Sequence, residues 1–143
     1  MPVLRLLAFA VLPLLLAATC QPPDRPKLPP TLKNLQGTWL HSREESHGDT
    51  LVYRPNTYNF PPSRGRTGFA IGPNGRFTQF DIAPTDGLQG QPGSWTLLAG
   101  NRLLIQPNGP QAVAYELEIL KLEGKKMSLR RTEPIVLRKN PGE

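Results

Sequence analysis

The chain has 143 residues, 17 Lys or Arg against 11 Asp or Glu, and a formal net charge of +6. That length suits one domain, and a single cysteine, Cys20, excludes an internal disulfide. The basic residues are scattered, with Lys125-Lys126 and Arg130-Arg131 the densest pairs, which argues against nucleic acid as a partner.

In chain order, the first predicted element is a leader. Arg5 supplies a positive charge, and residues 6–18 follow without charge, interrupted only by Pro13. That stretch is too short for a bilayer-spanning helix, which needs about 20 residues. A basic start, an apolar run and the small residues Ala17 and Ala18 are the pattern of a secretory signal. Leu16-Ala17-Ala18-Thr19-Cys20 resembles a bacterial lipobox, with Thr19 where Gly, Ala or Ser is usual. The resemblance implies that residues 1–19 are a lipoprotein signal peptide. It also implies that Cys20 becomes the lipid-modified first residue. Several acyl chains on one residue, palmitate among them, give stable membrane anchoring. Acylation also removes the oxidation liability of an exported thiol. The expected location is a bacterial membrane, on its periplasmic or cell-surface side. Secretion as a soluble protein is the alternative.

Residues 20–33 form a proline-rich linker. Five prolines fall within 21–33, so this stretch favours extended polyproline conformation and acts as a semi-rigid spacer. The folded domain is expected over 34–139, and its apolar period is two. Predicted strands cover 37–42, 50–54, 66–71, 76–82, 94–98, 102–106, 113–120 and 127–131, with a short ninth piece at 135–138. Gly72-Pro73-Asn74-Gly75 is a turn, because proline presets one dihedral and Asn-Gly accepts positive φ. Val113, Tyr115, Leu117 and Ile119 share one strand face. Helix signals are nearly absent after the leader. The fold class expected is all-β, a single antiparallel up-and-down barrel of about eight strands, with a sandwich as the alternative.

The head of the domain, Leu35-Gln36-Gly37-Thr38-Trp39-Leu40, resembles the Gly-x-Trp opening of the lipocalin and wider calycin families. Gly75-Arg76-Phe77, Gly93-Ser94-Trp95 and Asn101-Arg102-Leu103 are similar to the looser pattern of bacterial lipocalin-like lipoproteins. The resemblance implies a barrel that binds a small apolar molecule. It also implies that Trp39 closes one barrel end beneath an arginine, here Arg130 or Arg131, by cation–π stacking. An eight-stranded barrel has room for packed side chains or for one small ligand. Trp39, Phe69, Phe77, Phe80, Trp95, Tyr115, Leu117, Ile119 and Leu129 compete for that interior.

Three clusters are candidates for chemistry. The connection 55–65 is longer than a hairpin needs, and Tyr53, Tyr58, Phe60, Arg64 and Arg66 are candidates to line a barrel mouth and meet an anionic or aromatic ligand. The reading preferred for this connection is a loop folded over the barrel end, its aromatics completing the core. His41, Glu44, Glu45, His47 and Asp49 are metal-type ligands, but they lack the i, i+4 histidine pair of a helical zinc site. No metal or cofactor is expected. Asp81 and Asp86 are the third cluster, with no sign that they face each other across a cleft. No nucleophile elbow or phosphate loop is present, and no catalytic role is expected. Two functions stay open. One is an envelope lipoprotein whose barrel binds a small apolar or amphipathic ligand. The other is a structural or protein-interaction module of the cell envelope with a filled core, whose protein partner is unknown.

Overall fold

The structure, a computed structural model, describes residues 32–85 and 87–132. The leader, Cys20, most of the proline-rich linker, Asp86 and the strand expected at 135–138 lie outside the described residues.

Eight strands form: β1 (Gly37–His41), β2 (Leu51–Pro55), β3 (Gly68–Ile71), β4 (Arg76–Ile82), β5 (Leu88–Leu97), β6 (Arg102–Pro107), β7 (Tyr115–Glu123) and β8 (Lys126–Arg131). They close into one antiparallel barrel, as the strand pattern predicts. Closure leaves no open sheet edge. From β3 to β8 each strand pairs with the next in sequence, whereas the start of the barrel departs from simple succession. There β1 lies between β2 and β3, and β2 pairs with β8. Because β1 is antiparallel to both neighbours, β2 and β3 run in the same direction. The connection between them must therefore travel the whole length of β1 on the outside. Asn56 N–H donates to the Thr38 carbonyl at 3.0 Å, and His41 N–H donates to the Thr67 carbonyl at 2.9 Å. The crossover is thus tied down at both ends of β1. This is why residues 55–65 are too long for a hairpin.

The tight turns follow from the residues that make them. Asn74 has φ of 59° and Gly75 has φ of 74°, the left-handed region that an Asn-Gly pair tolerates. Gly68 has no such φ, but it leaves no room for a side chain. A methyl group there would overlap the Trp39 carbonyl oxygen. Strand β5 begins earlier than predicted. Gln89-Gly90-Gln91-Pro92-Gly93 has no apolar alternation and reads as a loop, yet residues 88–94 pair one-to-one with β4. The partner strand supplies the order that local sequence lacks.

Alternation along the strands fills the barrel with Trp39, Phe69, Ile71, Phe77, Leu103, Ile105, Tyr115, Leu117, Ile119, Met127 and Leu129, all buried. Strand β4 turns Phe77, Gln79 and Asp81 to one face. Phe80 therefore takes the other and is half-buried opposite Gly90, which corrects its expected place in the core. A register shift after Ile119 leaves Leu120 exposed and lets Leu122 pack on the core.

One pole is sealed by the chain that leads into β1. Leu32 and Leu35 are fully buried and belong to the core cluster. Leu35 N–H donates to the Leu32 carbonyl at 3.0 Å, and Trp39 Nε1 donates to the Leu35 carbonyl at 2.9 Å. Each leucine adds about 1.5–3 kcal/mol of apolar burial, and the indole bond satisfies a buried donor. Trp95 acts similarly, donating to the Gly72 carbonyl at 3.0 Å. We therefore expect Leu35→Ala to cost about 2–5 kcal/mol, the range for a buried leucine cut back in a packed interior. Urea unfolding measures this directly, and a loss below about 1 kcal/mol would contradict the plug. Gly68→Ala is expected to destabilise at least as strongly in the same assay.

Candidate ligand-binding site at the open pole

The opposite pole is not plugged. A cavity of about 270 Å³ opens there, lined by residues that include Leu51, Tyr53, Phe69, Tyr115 and Leu117, with Thr67, Gln79, Asp81 and Arg131 towards its polar side. The change of lining follows from the strands. On β4 the inward face passes from Phe77 to Gln79 and Asp81. On β8 it passes from Met127 and Leu129 to Arg131. Both strands run towards the open pole, so the interior turns from apolar to polar in that direction. A neighbouring groove of about 430 Å³ lies against residues 107–113 and shares Gln79, Tyr115 and Arg131 with the cup.

The polar groups are held in a fixed order. The Tyr115 hydroxyl donates to Gln79 Oε1 at 2.8 Å. Gln79 Nε2 in turn faces the Asp81 carboxylate at 3.1 and 3.3 Å. The Arg131 guanidinium carbon stands 3.9 Å from the centre of the Tyr115 ring. Among the described residues no carboxylate forms an ion pair with Arg131. Tyr53 sits between His41 and Phe69, with ring centres 5.2 and 4.8 Å away. Burial raises the Tyr53 hydroxyl above its ordinary pKa and pushes Tyr115 up to about 12, although the positive charge of Arg131 opposes both shifts. Both phenols therefore stay neutral near pH 7 and serve as donors. The arrangement offers a cation and the Tyr53 hydroxyl beside an apolar floor of Leu51, Phe69 and Leu117.

The residues singled out from the sequence are placed differently from one another. Tyr53 lines the cup. Tyr58, Phe60 and Arg66 belong to the crossover outside β1 and do not line it. Arg54 lies over the Tyr58 ring at 4.8 Å and Arg66 over the Phe60 ring at 4.5 Å, while the two rings meet edge-on at 5.0 Å. Arg66 is only 7% exposed. It donates to both Glu44 carboxylate oxygens at 2.7 and 3.0 Å and to the carbonyls of His41 and Pro61. Glu45 holds Arg54 at 2.6 and 2.8 Å and also receives Lys126 at 3.2 Å. The short 3-10 turn Arg43–Glu45 is thus a clasp, with one glutamate for each end of the crossover. Arg64 is exposed and away from the cup.

The expected stack of Arg130 or Arg131 on Trp39 is not formed. Trp39 belongs to the sealed pole, whereas β8 delivers both arginines to the open one. Arg130 instead pairs with Asp49 at 2.7 Å and Glu118 at 3.3 Å. The metal-type residues are dispersed. His41 Nε2 meets Ser46 Oγ at 3.0 Å, His47 pairs through its backbone with Thr50, and both glutamates are engaged by arginine. No group of three or more metal-type side chains converges among the described residues.

What fold and site together define is a closed antiparallel barrel with one sealed end and one aromatic-lined cup. Comparisons with protein-family models, with curated proteins and with solved structures find no match to this chain. The barrel by itself does not assign the chain to the lipocalin-like superfamily.

The clasp sets a pH dependence. The Arg66 hydrogen bonds hold Glu44 down to about 2 and those of Arg54 hold Glu45 down to about 2, against an ordinary value of 4.5. A carboxylate whose pKa is depressed by folding stabilises the fold fully above its ordinary pKa and loses that contribution as pH falls through the folded value. The melting temperature is therefore expected to fall as pH drops from about 5 to about 2. Glu44→Gln should lower it near pH 7 and matter little at the acid end. Equal melting curves for wild type and Glu44→Gln at neutral pH would show that the Arg66 pair adds nothing.

Proposed function

We propose that this chain is an exported lipoprotein of a bacterial envelope whose barrel binds a small amphipathic molecule at its open pole. The observation that carries the reading is the opposite character of the two poles. Leu32 and Leu35 plug the end where the chain enters the barrel, and the apolar-floored cup opens at the other end. If Cys20 is acylated, the proline-rich linker leads from the bilayer to the plugged pole. The cup then faces away from the membrane, where a soluble ligand reaches it. We read the protein as a binder without a cofactor, and not as an enzyme. The lipocalin-like motifs around Trp39 and Trp95 agree with this reading.

A second reading has its own support. The cup holds about 270 Å³, just below the range of about 300–1,000 Å³ usual for small-molecule sites, and side chains fill the barrel beneath it. A module that works through its surface and loops would have this form too.

Native mass spectrometry of protein purified from its own host separates the two readings. A co-purifying small molecule is expected, lost in Leu117→Trp, where the larger ring occupies the floor. A bare polypeptide under gentle conditions favours the interaction module. For the anchor, Cys20→Ser is expected to move the protein from the membrane to the soluble fraction. Continued membrane association would remove the lipoprotein reading.

A further inference from the structure

We propose that the cup selects a compact monoanion, an aryl or short-chain carboxylate or sulfonate, with its charged group at Arg131 and its apolar body against Leu51, Phe69 and Leu117. This rests on the cup being a ligand site and adds the chemical class of the ligand.

The first argument is charge. Arg54, Arg66, Arg102 and Arg130 each have a carboxylate partner, whereas the exposed Arg43, Arg64, Arg76 and Arg131 have none among the described residues, and of these four only Arg131 lines the cup. Arg131 faces the same interior as Leu129 and lines the cavity, yet no carboxylate pairs with it among the described residues. Among the described residues its guanidinium carbon stands 3.9 Å from the Tyr115 ring centre, a contact that positions the guanidinium without neutralising it. The Tyr115 hydroxyl is already given to Gln79, so the ring is fixed in turn. A planar guanidinium held in this way offers a fork of donors that fits a carboxylate or sulfonate. The Tyr53 hydroxyl, which has no hydrogen-bond partner among the described residues, is a further donor on the same cavity wall.

The second argument is the sign and number of charges. Asp81 also lines the cup and acts on Tyr115 with sign opposite to Arg131. Gln79 Nε2 engages that carboxylate and partly satisfies it. One negative charge next to Arg131 is favoured, and a second meets Asp81. The third argument is depth. The cavity stops at Phe69 and Leu117, and does not reach Phe77, Ile119 or Met127, which pack beneath. A ring, a fused ring pair or a short chain fits, and a long acyl chain does not.

The test uses the full chain carrying Cys20→Ser, which avoids detergent in the cup. Binding of 2-naphthoate and of 2-naphthylmethanol, two molecules with the same ring body that differ in charge, is measured by titration calorimetry near pH 7. Naphthoate is expected to bind at least about tenfold more tightly, a difference of about 1.4 kcal/mol. Arg131→Gln should abolish that preference while leaving the melting temperature unchanged, and Arg131→Lys should restore part of it. Asp81→Asn should tighten naphthoate severalfold and leave the alcohol alone. Equal binding of the two probes by the wild-type cup would overturn the anion assignment and leave the cup as a ligand site. Binding of neither probe would remove both. A naphthoate preference that survives Arg131→Gln, or a loss of naphthoate binding in Asp81→Asn, would place the charged group elsewhere and overturn the proposal.

Discussion

Strand β1 is five residues long, and the barrel closes through it. It pairs with β2 along one edge and β3 along the other, from Gly37↔Ile71 to His41↔Tyr53. Its place between two strands that run the same way makes the long crossover necessary. The crossover in turn explains the clasp. A segment laid outside a finished sheet has no ladder of its own, so it must be held by side chains. Arg54 and Arg66 do this from its two ends, each stacked on a ring and each held by a glutamate of the same 3-10 turn. Exposed ion pairs add little to stability. Arg66 differs because it is nearly buried and four acceptor oxygens satisfy it.

Much of the barrel was legible from local pattern. Period two located β1, β2, β4, β6 and β8 to within a residue or so, and Asn74-Gly75 marked its turn. Strand β5 was half hidden because Gly90, Pro92 and Gly93 lack the side chains that make a strand visible. Gly93 is required where it stands, since a methyl group there would lie 2.7 Å from the Gln106 carbonyl oxygen and 2.9 Å from the Pro107 Cα. Neighbour order was not legible, because alternation fixes which way a side chain points and not which strand lies beside it.

The site shows the same division. Arg66 looks like a mouth residue in sequence because the carboxylate that holds it is remote, and Phe60 follows Arg66, which stacks on its ring. Glu44 lies 22 positions away from Arg66. Gln79 and Arg131, by contrast, carried a readable signal. Each continues an inward series, Phe77-x-Gln79-x-Asp81 and Met127-x-Leu129-x-Arg131, and a polar residue on the core face of a strand departs from the expected pattern. Following each face to its last residue, instead of stopping at its last apolar one, leads to the open pole.

The pairing of β2 with β8 also governs how the barrel is assembled. Residues 51–53 wait for 127–129, nearly the whole domain away. Loop-closure entropy must be met before such a contact forms, which slows barrels relative to folds built from local contacts. A hairpin such as β4–β5 can form as soon as its turn is present. The outer edge of β2 has no partner until the last strand is available, and an unpaired edge is where chains join to one another. The strand is short, and on its other edge the clasp segment carries the pairing past the end of β1: Ser46 Oγ accepts the Val52 N–H at 2.9 Å, and Ser42 N–H donates to the Val52 carbonyl at 2.8 Å. The connection that locks the finished crossover therefore also completes the β1-facing edge of β2, with contacts only six to ten residues apart, so that a growing chain leaves only the β8-facing edge of this strand open.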